Sequence, residues 1–280
     1  MKRISVVLFT LALVTFACTW ATPTPAVEAA TPTAAPGNPS PVPATPENGI
    51  PVTSPGFSMA VPTGLATGAH TEDVPASGGT DVPSWEIHPA YSQTTLQDYP
   101  LKGRFFEPQI FIFPAGEFAQ MSDGAAQAIA DLKAVLASPS ATPDHMPFLP
   151  NFNAAQVFYS NSQVLQFQGG TGIRYLTQYD QGFMPINNQE LFYTFQGLTQ
   201  DEKYYVAAIL PVNAALLSAD GSPNSPVPPD GVPFDWNNPE SMAVYLESIK
   251  EKLGSTDPSA FTPALPTLDA LVQSISVSLP

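Results

Sequence analysis

The chain has 280 residues, 33 of them proline, one cysteine and a formal net charge of −15. That acidity excludes a phosphate-binding surface of the nucleic-acid kind, which needs a basic face, and it argues against docking on anionic lipid headgroups. A lone cysteine excludes a disulfide framework, while the acidic excess itself suits an exported protein that must stay soluble.

The N-terminus carries the first signal. Lys2-Arg3 is a basic start, Ile4 to Phe16 is an apolar run, and Ala17-Cys18 follows. This is the layout of a bacterial export signal ending in a lipidation site, residues 1–18. Of the residues before Cys18, Ala17 fits lipoprotein processing well, Thr15 tolerably and Phe16 poorly. The alternative is an ordinary signal peptide cut after Ala21. A retained span is disfavoured because the run is shorter than the ~20 residues a bilayer requires. The expected address is the extracytoplasmic face of the cell membrane or envelope, anchored through Cys18, or otherwise the secreted fraction.

Residues 19–84 are rich in Pro, Thr and Ala, and residues 21 to 83 have no Lys or Arg and almost no apolar period. Such a stretch buries too little surface to offset the cost of ordering its backbone, so a disordered linker is expected, biased toward polyproline II. Its length corresponds to a coil of about 40 Å and an extended limit near ~190 Å. Thr and Ser beside Pro also permit O-glycosylation.

Residues 85–280 then form one domain with a sizeable core. Trp85 to Leu101 reads as one or two strands. Gln109 to Phe113, bounded by Pro108 and Pro114, is a strand covered on both faces. Ser122 caps a helix whose Ile129, Leu132 and Leu136 share a face, stopped at Ser138-Pro139. Ala137 to Asn153 holds four prolines and should be irregular.

Val164 to Gln168 and Ile173 to Tyr179 flank the glycine-rich turn Gly169 to Gly172, a β-hairpin. Glu190 to Gln196 and Lys203 to Leu210 form a second hairpin around Gly197 to Glu202. These strands are apolar enough to be central, so something must cover them. The cover is helical: Asn238-Pro239-Glu240 opens a helix with Met242, Leu246, Ile249 and Leu253 at helical spacing and Gly254 at its end. A last helix begins near Thr262-Pro263 with Leu268, Leu271, Val272 and Ile275. The expected fold class is α+β, an antiparallel sheet of about five to seven strands covered by helices.

Chemistry is sparse. Only His70, His88 and His145 exist, and no Gly-x-Ser-x-Gly elbow is present. Zinc lacks clustered Cys or His. Calcium has oxygens in Asp220 to Asn224, Asp230 and Asp235, but no alternating-acid loop with a terminal Glu. No cofactor is therefore expected. Gly169 to Gly172 joins two strands, whereas phosphate cradles lead into a helix. Arg174 sits alone inside an apolar strand. It is expected to pair with Glu190 or Asp180 at the sheet rim, and otherwise to hold an anionic ligand. Asn213 to Asn237 is a long Pro-rich segment, expected to lie across the sheet as a strap anchored by Phe234 and Trp236.

Several stretches carry a resemblance: Glu107 to Pro114, Gly172 to Gln178, Pro185-Ile-Asn-Asn188, Leu191 to Thr199, Lys203 to Val212 and Pro226 to Pro233. Together they resemble a group of uncharacterised bacterial exported proteins and lipoproteins with a Pro/Thr-rich linker. The resemblance implies envelope placement and a shared fold and brings no activity. The element order is also similar, at fold level alone, to the small α/β/α lipoprotein domains of the PsbP type.

The functional expectation is a tethered domain with a non-enzymatic binding or structural role, its partner an envelope protein or glycan. The candidate ligand-binding residues are Arg174, Asp235 and Trp236, set among aromatics (Tyr91, Tyr99, Phe105, Phe106, Phe148 and Phe152) of which some exceed what a core needs. The alternative is a hydrolase using the loop carboxylates Asp180, Glu190 and Asp235.

Overall fold

A computed structural model describes residues 49–140 and 142–278. The expected signal peptide, Cys18 and the first part of the linker lie outside the described residues.

The described chain is α+β, as expected. A seven-stranded antiparallel sheet has the order β3(Gly68–Val74), β4(Tyr91–Gln97), β5(Gln109–Pro114), β9(Tyr204–Pro211), β8(Phe192–Thr199), β7(Gly170–Asp180), β6(Ala155–Phe167). A second sheet of three strands joins β1(Gly49–Ser54), β2(Phe57–Pro62) and β10(Ser276–Val277). The helices are α1(Ala115–Met121), α2(Asp123–Ala137), α3(Met242–Ser255) and α4(Leu265–Gln273).

The expected domain boundary at residue 85 is corrected: the fold begins by Gly49. Proline and glycine concealed two strands, because Pro51 lies on β1, an edge strand, where a missing N–H is tolerated. The turn at Ser54–Phe57 uses Gly56 at φ 72°. Phe57, Met59 and Val61 of β2 are buried in the main core. Strand β3 escaped notice for a different reason. It is the outer strand of the large sheet, and its polar side chains bond laterally instead of packing, with Thr71 Oγ1 2.8 Å from Thr94 Oγ1 and Ser92 Oγ donating to Asp73. His70 therefore belongs to a strand and not to a linker.

Alternation explains how the sheet is covered on both faces. In β5, Ile110 and Ile112 face one core while Phe111 and Phe113 face the other. Helix α2 covers the second face with Ala125, Ala128, Ile129, Leu132 and Val135 buried, and Ser122 Oγ accepts its capping bond from Ala125 N at 3.3 Å. Helices α3 and α4 cover the first face through Tyr245, Ile249 and Leu253 and through Leu265, Leu268, Leu271 and Val272. Each such fully buried aliphatic side chain is worth about 1.5–3 kcal/mol.

The glycine-rich hairpin is narrower than expected. Its turn is Gln168-Gly169, with Gly169 at φ 92°, while Gly170 and Gly172 belong to β7. Gly172 pairs with Gly197, and a Cβ on either would collide with the ring of Phe195. These glycines make room for Phe167 and Phe195, whose rings meet edge to face at 5.7 Å. Strand β6 is longer than expected and carries two irregularities. At the second, Asn161 adopts φ 51° and the register slips between Ser160 and Gln163.

The half-polar face of β8 is a buried network. Gln196, fully buried, accepts from Leu149 N at 2.9 Å and from Tyr205 Oη at 2.7 Å, and its Nε2 donates to Leu149 O at 3.2 Å. One amide thus holds the Pro-rich 146–150 segment on the sheet.

Candidate functional site

At the end of the sheet where β7 finishes and β8 begins, the 181–191 turn meets the 213–237 segment. Asn188 fastens them: its Nδ2 donates to Ala214 O and Leu217 O, and its Oδ1 accepts from Ala214 N at 2.8 Å. Asn188 N also donates to Ser218 O at 2.9 Å. The segment is a strap over the 181–191 turn and α3, and Phe234 anchors it against Phe183 at 4.5 Å and Tyr245 at 5.1 Å.

Between the strap and α3 lies a cleft of about 150 Å³, with Ile186, Leu217, Phe234, Trp236 and Tyr245 on its apolar side and Ser218, Asp220, Ser222 and Ser225 on its polar side. Tyr245 Oη accepts from Ile186 N at 3.0 Å, which fixes the floor. Burial pushes its phenol up to about 12 against that bond, so it stays protonated at any ordinary pH. Trp236 meets Phe234 edge to face at 4.9 Å, and its indole N–H donates to no acceptor among the described residues.

Beside the cleft sits a polar knot. The buried Asn187 donates through Nδ2 to Pro185 O at 3.1 Å and to Glu190 Oε2 at 2.8 Å. Gln178 Nε2 reaches Asp180 Oδ2 at 2.6 Å, Glu190 Oε2 at 3.0 Å and Pro185 O at 3.1 Å. One amide thus holds two half-buried carboxylates close together. Burial raises both from the usual carboxylate range, the bonds from Gln178 and Asn187 opposing it, and the charge of Asp180 raises Glu190 further.

Of the three candidate ligand residues, the structure places Trp236 alone in the cleft. Asp235 is exposed, and its Oδ1 accepts from Asn237 N at 3.0 Å in a local turn. Asp220 does the same for Ser222 N at 2.9 Å.

Arg174 is buried beneath α4, and its expected partners are corrected: Nε lies 3.2 Å from Asp269 Oδ1, Nη2 donates to Gln163 Oε1 at 2.7 Å, and Nη1 donates to Asn161 O. Asp269 also accepts from Tyr193 Oη at 3.0 Å. Sequence could not reveal this partner, because Asp269 lies on a helix far along the chain.

Of the aromatics, Tyr99 and Phe148 are core, Phe106 and Phe152 stack at 4.9 Å against the α2-side core, and Phe105 is 66% exposed. Sequence reasoning missed Tyr245, Pro185 and Asn187. Tyr245 was legible in the four-residue spacing to Ile249 and Leu253.

No family model matches the chain, and neither a curated protein nor a solved structure is detectably similar to it. No helix among the described residues is long and apolar enough to cross a membrane.

Proposed function

We propose that this protein is an envelope-tethered binding module. In this reading, residues 1–18 direct export and supply the lipidated Cys18, the Pro/Thr/Ala-rich segment is the spacer, and the folded domain presents the cleft beneath the strap to an envelope protein or glycan. The observation that carries the binding role is the aromatic-lined cleft, with Ser218, Asp220, Ser222 and Ser225 on its polar side and an indole N–H at Trp236 that donates to no acceptor among the described residues. Its volume is well below the roughly 300–1,000 Å³ of sites that engulf a whole small molecule, and close to that of a cavity known to hold one benzene-sized ring. It suits one ring or branched side chain of a larger ligand lying across the surface.

The test is a titration of a chain carrying Trp20→Phe and Trp85→Phe, so that Trp236 alone fluoresces, with cell-wall glycan fragments and short peptides. A saturable emission change is expected, and its absence with every class would remove the binding role. The tether is tested separately: Cys18→Ala should release the protein from membranes, and equal retention would refute lipidation.

One observation favours a second reading as a hydrolase. Asp180 and Glu190 share Gln178 and are both raised by burial, the arrangement an acid–base pair uses. Turnover of chromogenic glycosides that disappears in Glu190→Gln would support it.

A further inference from the structure

We infer that the group this cleft takes is a trimethylammonium head carried on a neutral glycan chain, held by the rings of Phe234, Trp236 and Tyr245 beside the carboxylate of Asp220. This rests on the binding role proposed above and narrows its ligand.

Three aromatic rings line the cleft. Phe234 stands at 77° to Trp236 and at 81° to Tyr245, with centroids 4.9 Å and 5.1 Å away. Rings set nearly at right angles offer π-faces in more than one direction, and a quaternary ammonium is attracted to such faces through the ring quadrupole. The volume of about 150 Å³ matches a pocket that holds one benzene-sized group. A trimethylammonium head has that bulk.

Charge points the same way. Residues 204 to 249 contain no Lys, Arg or His, and they carry Asp220, Asp230, Asp235, Glu240 and Glu247. This stretch includes the whole strap and Tyr245. The 181–191 turn adds Glu190 and no cation. The cations that come near these elements are engaged, Lys250 by Glu247 at 2.8 Å and Arg104 Nη1 by Asn188 O at 3.1 Å. The field at the cleft therefore favours a positive ligand.

The hydrogen bonds on the polar side select the kind of cation. A primary ammonium brings three N–H donors that need acceptors. Here Asp220 Oδ1 already accepts from Ser222 N at 2.9 Å, Ser222 Oγ from Asn224 N at 3.3 Å and Ser225 Oγ from Asp220 N at 3.4 Å. A quaternary nitrogen has no N–H and needs only the ring faces and the field of Asp220. The indole N–H of Trp236 is left for an oxygen of the same ligand. The carrier follows from the exposed Asp230, Asp235 and Glu240. A membrane surface would dehydrate these carboxylates, and an anionic one would repel them, whereas a glycan leaves them in water.

The experiment uses the full chain carrying Cys18→Ser, Trp20→Phe and Trp85→Phe, with Trp236 emission as the readout and dextran bearing choline ethers as the probe. A saturable change is expected. Dextran bearing neohexyl groups, which match the shape without the charge, should bind about tenfold more weakly, and so should aminoethyl dextran. Asp220→Asn can still accept from Ser222 N, so it should keep Tm while weakening the choline probe about threefold. Neohexyl dextran binding as tightly, or an unchanged affinity in Asp220→Asn, leaves the binding role standing and overturns the cation. Aminoethyl dextran binding as tightly overturns the inference in favour of a lysine-bearing partner. An emission change with phosphatidylcholine vesicles and none with choline dextran overturns it in favour of a membrane. If none of these probes, and none of the glycan fragments and peptides above, moves Trp236 emission, the binding role falls as well.

Discussion

Asp269 Oδ1 lies 3.2 Å from Arg174 Nε, and both side chains are almost wholly withdrawn from solvent. The pair crosses from α4 to β7, and through Asn161 and Gln163 the same guanidinium braces the irregular stretch of β6. The carboxyl of Asp269 is nevertheless raised, because burial outweighs the help from Arg174 and Tyr193.

Removing one partner strands the other charge. Asp269→Ala should therefore cost about 3–5 kcal/mol in denaturant unfolding. The double change Arg174→Met with Asp269→Leu should cost less than Asp269→Ala alone. A double variant as unstable as the single would show that the pair's other bonds, not its charges, dominate.

Gln196→Leu keeps the approximate volume but deprives Leu149 N, Leu149 O and Tyr205 Oη of their partner. At about 1–3 kcal/mol for each buried polar group left unsatisfied, the loss should exceed about 3 kcal/mol. Hydrogen exchange should locate the loosening in residues 146–150 ahead of the β8–β9 ladder.

Asp180 and Glu190 have folded-state pKa values above their unfolded ones, so the fold disfavours their ionised forms. Their cost is present at neutral pH and relieved as pH falls through the raised values toward the ordinary carboxylate range near ~4. Asp269 acts in the same direction. Asp201 and Asp257 are lowered by local hydrogen bonds, foremost from Thr199 and Ser259, so their stabilising contribution is lost only below that range. Tm should therefore rise between neutral and mildly acidic pH and fall again in stronger acid. Asp180→Asn with Glu190→Gln should flatten the rise, and a Tm that declines steadily from pH 7 would contradict the assignment.

A chain beginning at residue 85 should fail to melt cooperatively, whereas one beginning at residue 49 should keep its transition by calorimetry. The shorter chain loses Phe57, Met59, Val61 and Leu65 from the core. At about 1.5–3 kcal/mol each, their loss approaches the whole ~5–15 kcal/mol stability of a typical domain.

Local chemistry was enough to read the β5 strand from its alternating Ile and Phe, the α2 cap at Ser122, the two hairpins and the strap anchored by Phe234. In each, the deciding interactions lie within a few residues along the chain or in a repeating apolar period. The same logic failed at β1 to β3, where prolines and polar side chains are tolerated because those strands lie at sheet edges or pack on one face. It failed also at Arg174, since which carboxylate reaches a buried guanidinium depends on how α4 crosses the sheet. Composition alone established an acidic chain with a proline-dense stretch. Tertiary structure alone decided that Asp180 and Glu190 meet over Gln178, that Trp236 shares a cleft with Tyr245 and Pro185, and that Asp235 does not. Contacts between residues far apart in sequence depend on packing geometry, which no local pattern encodes.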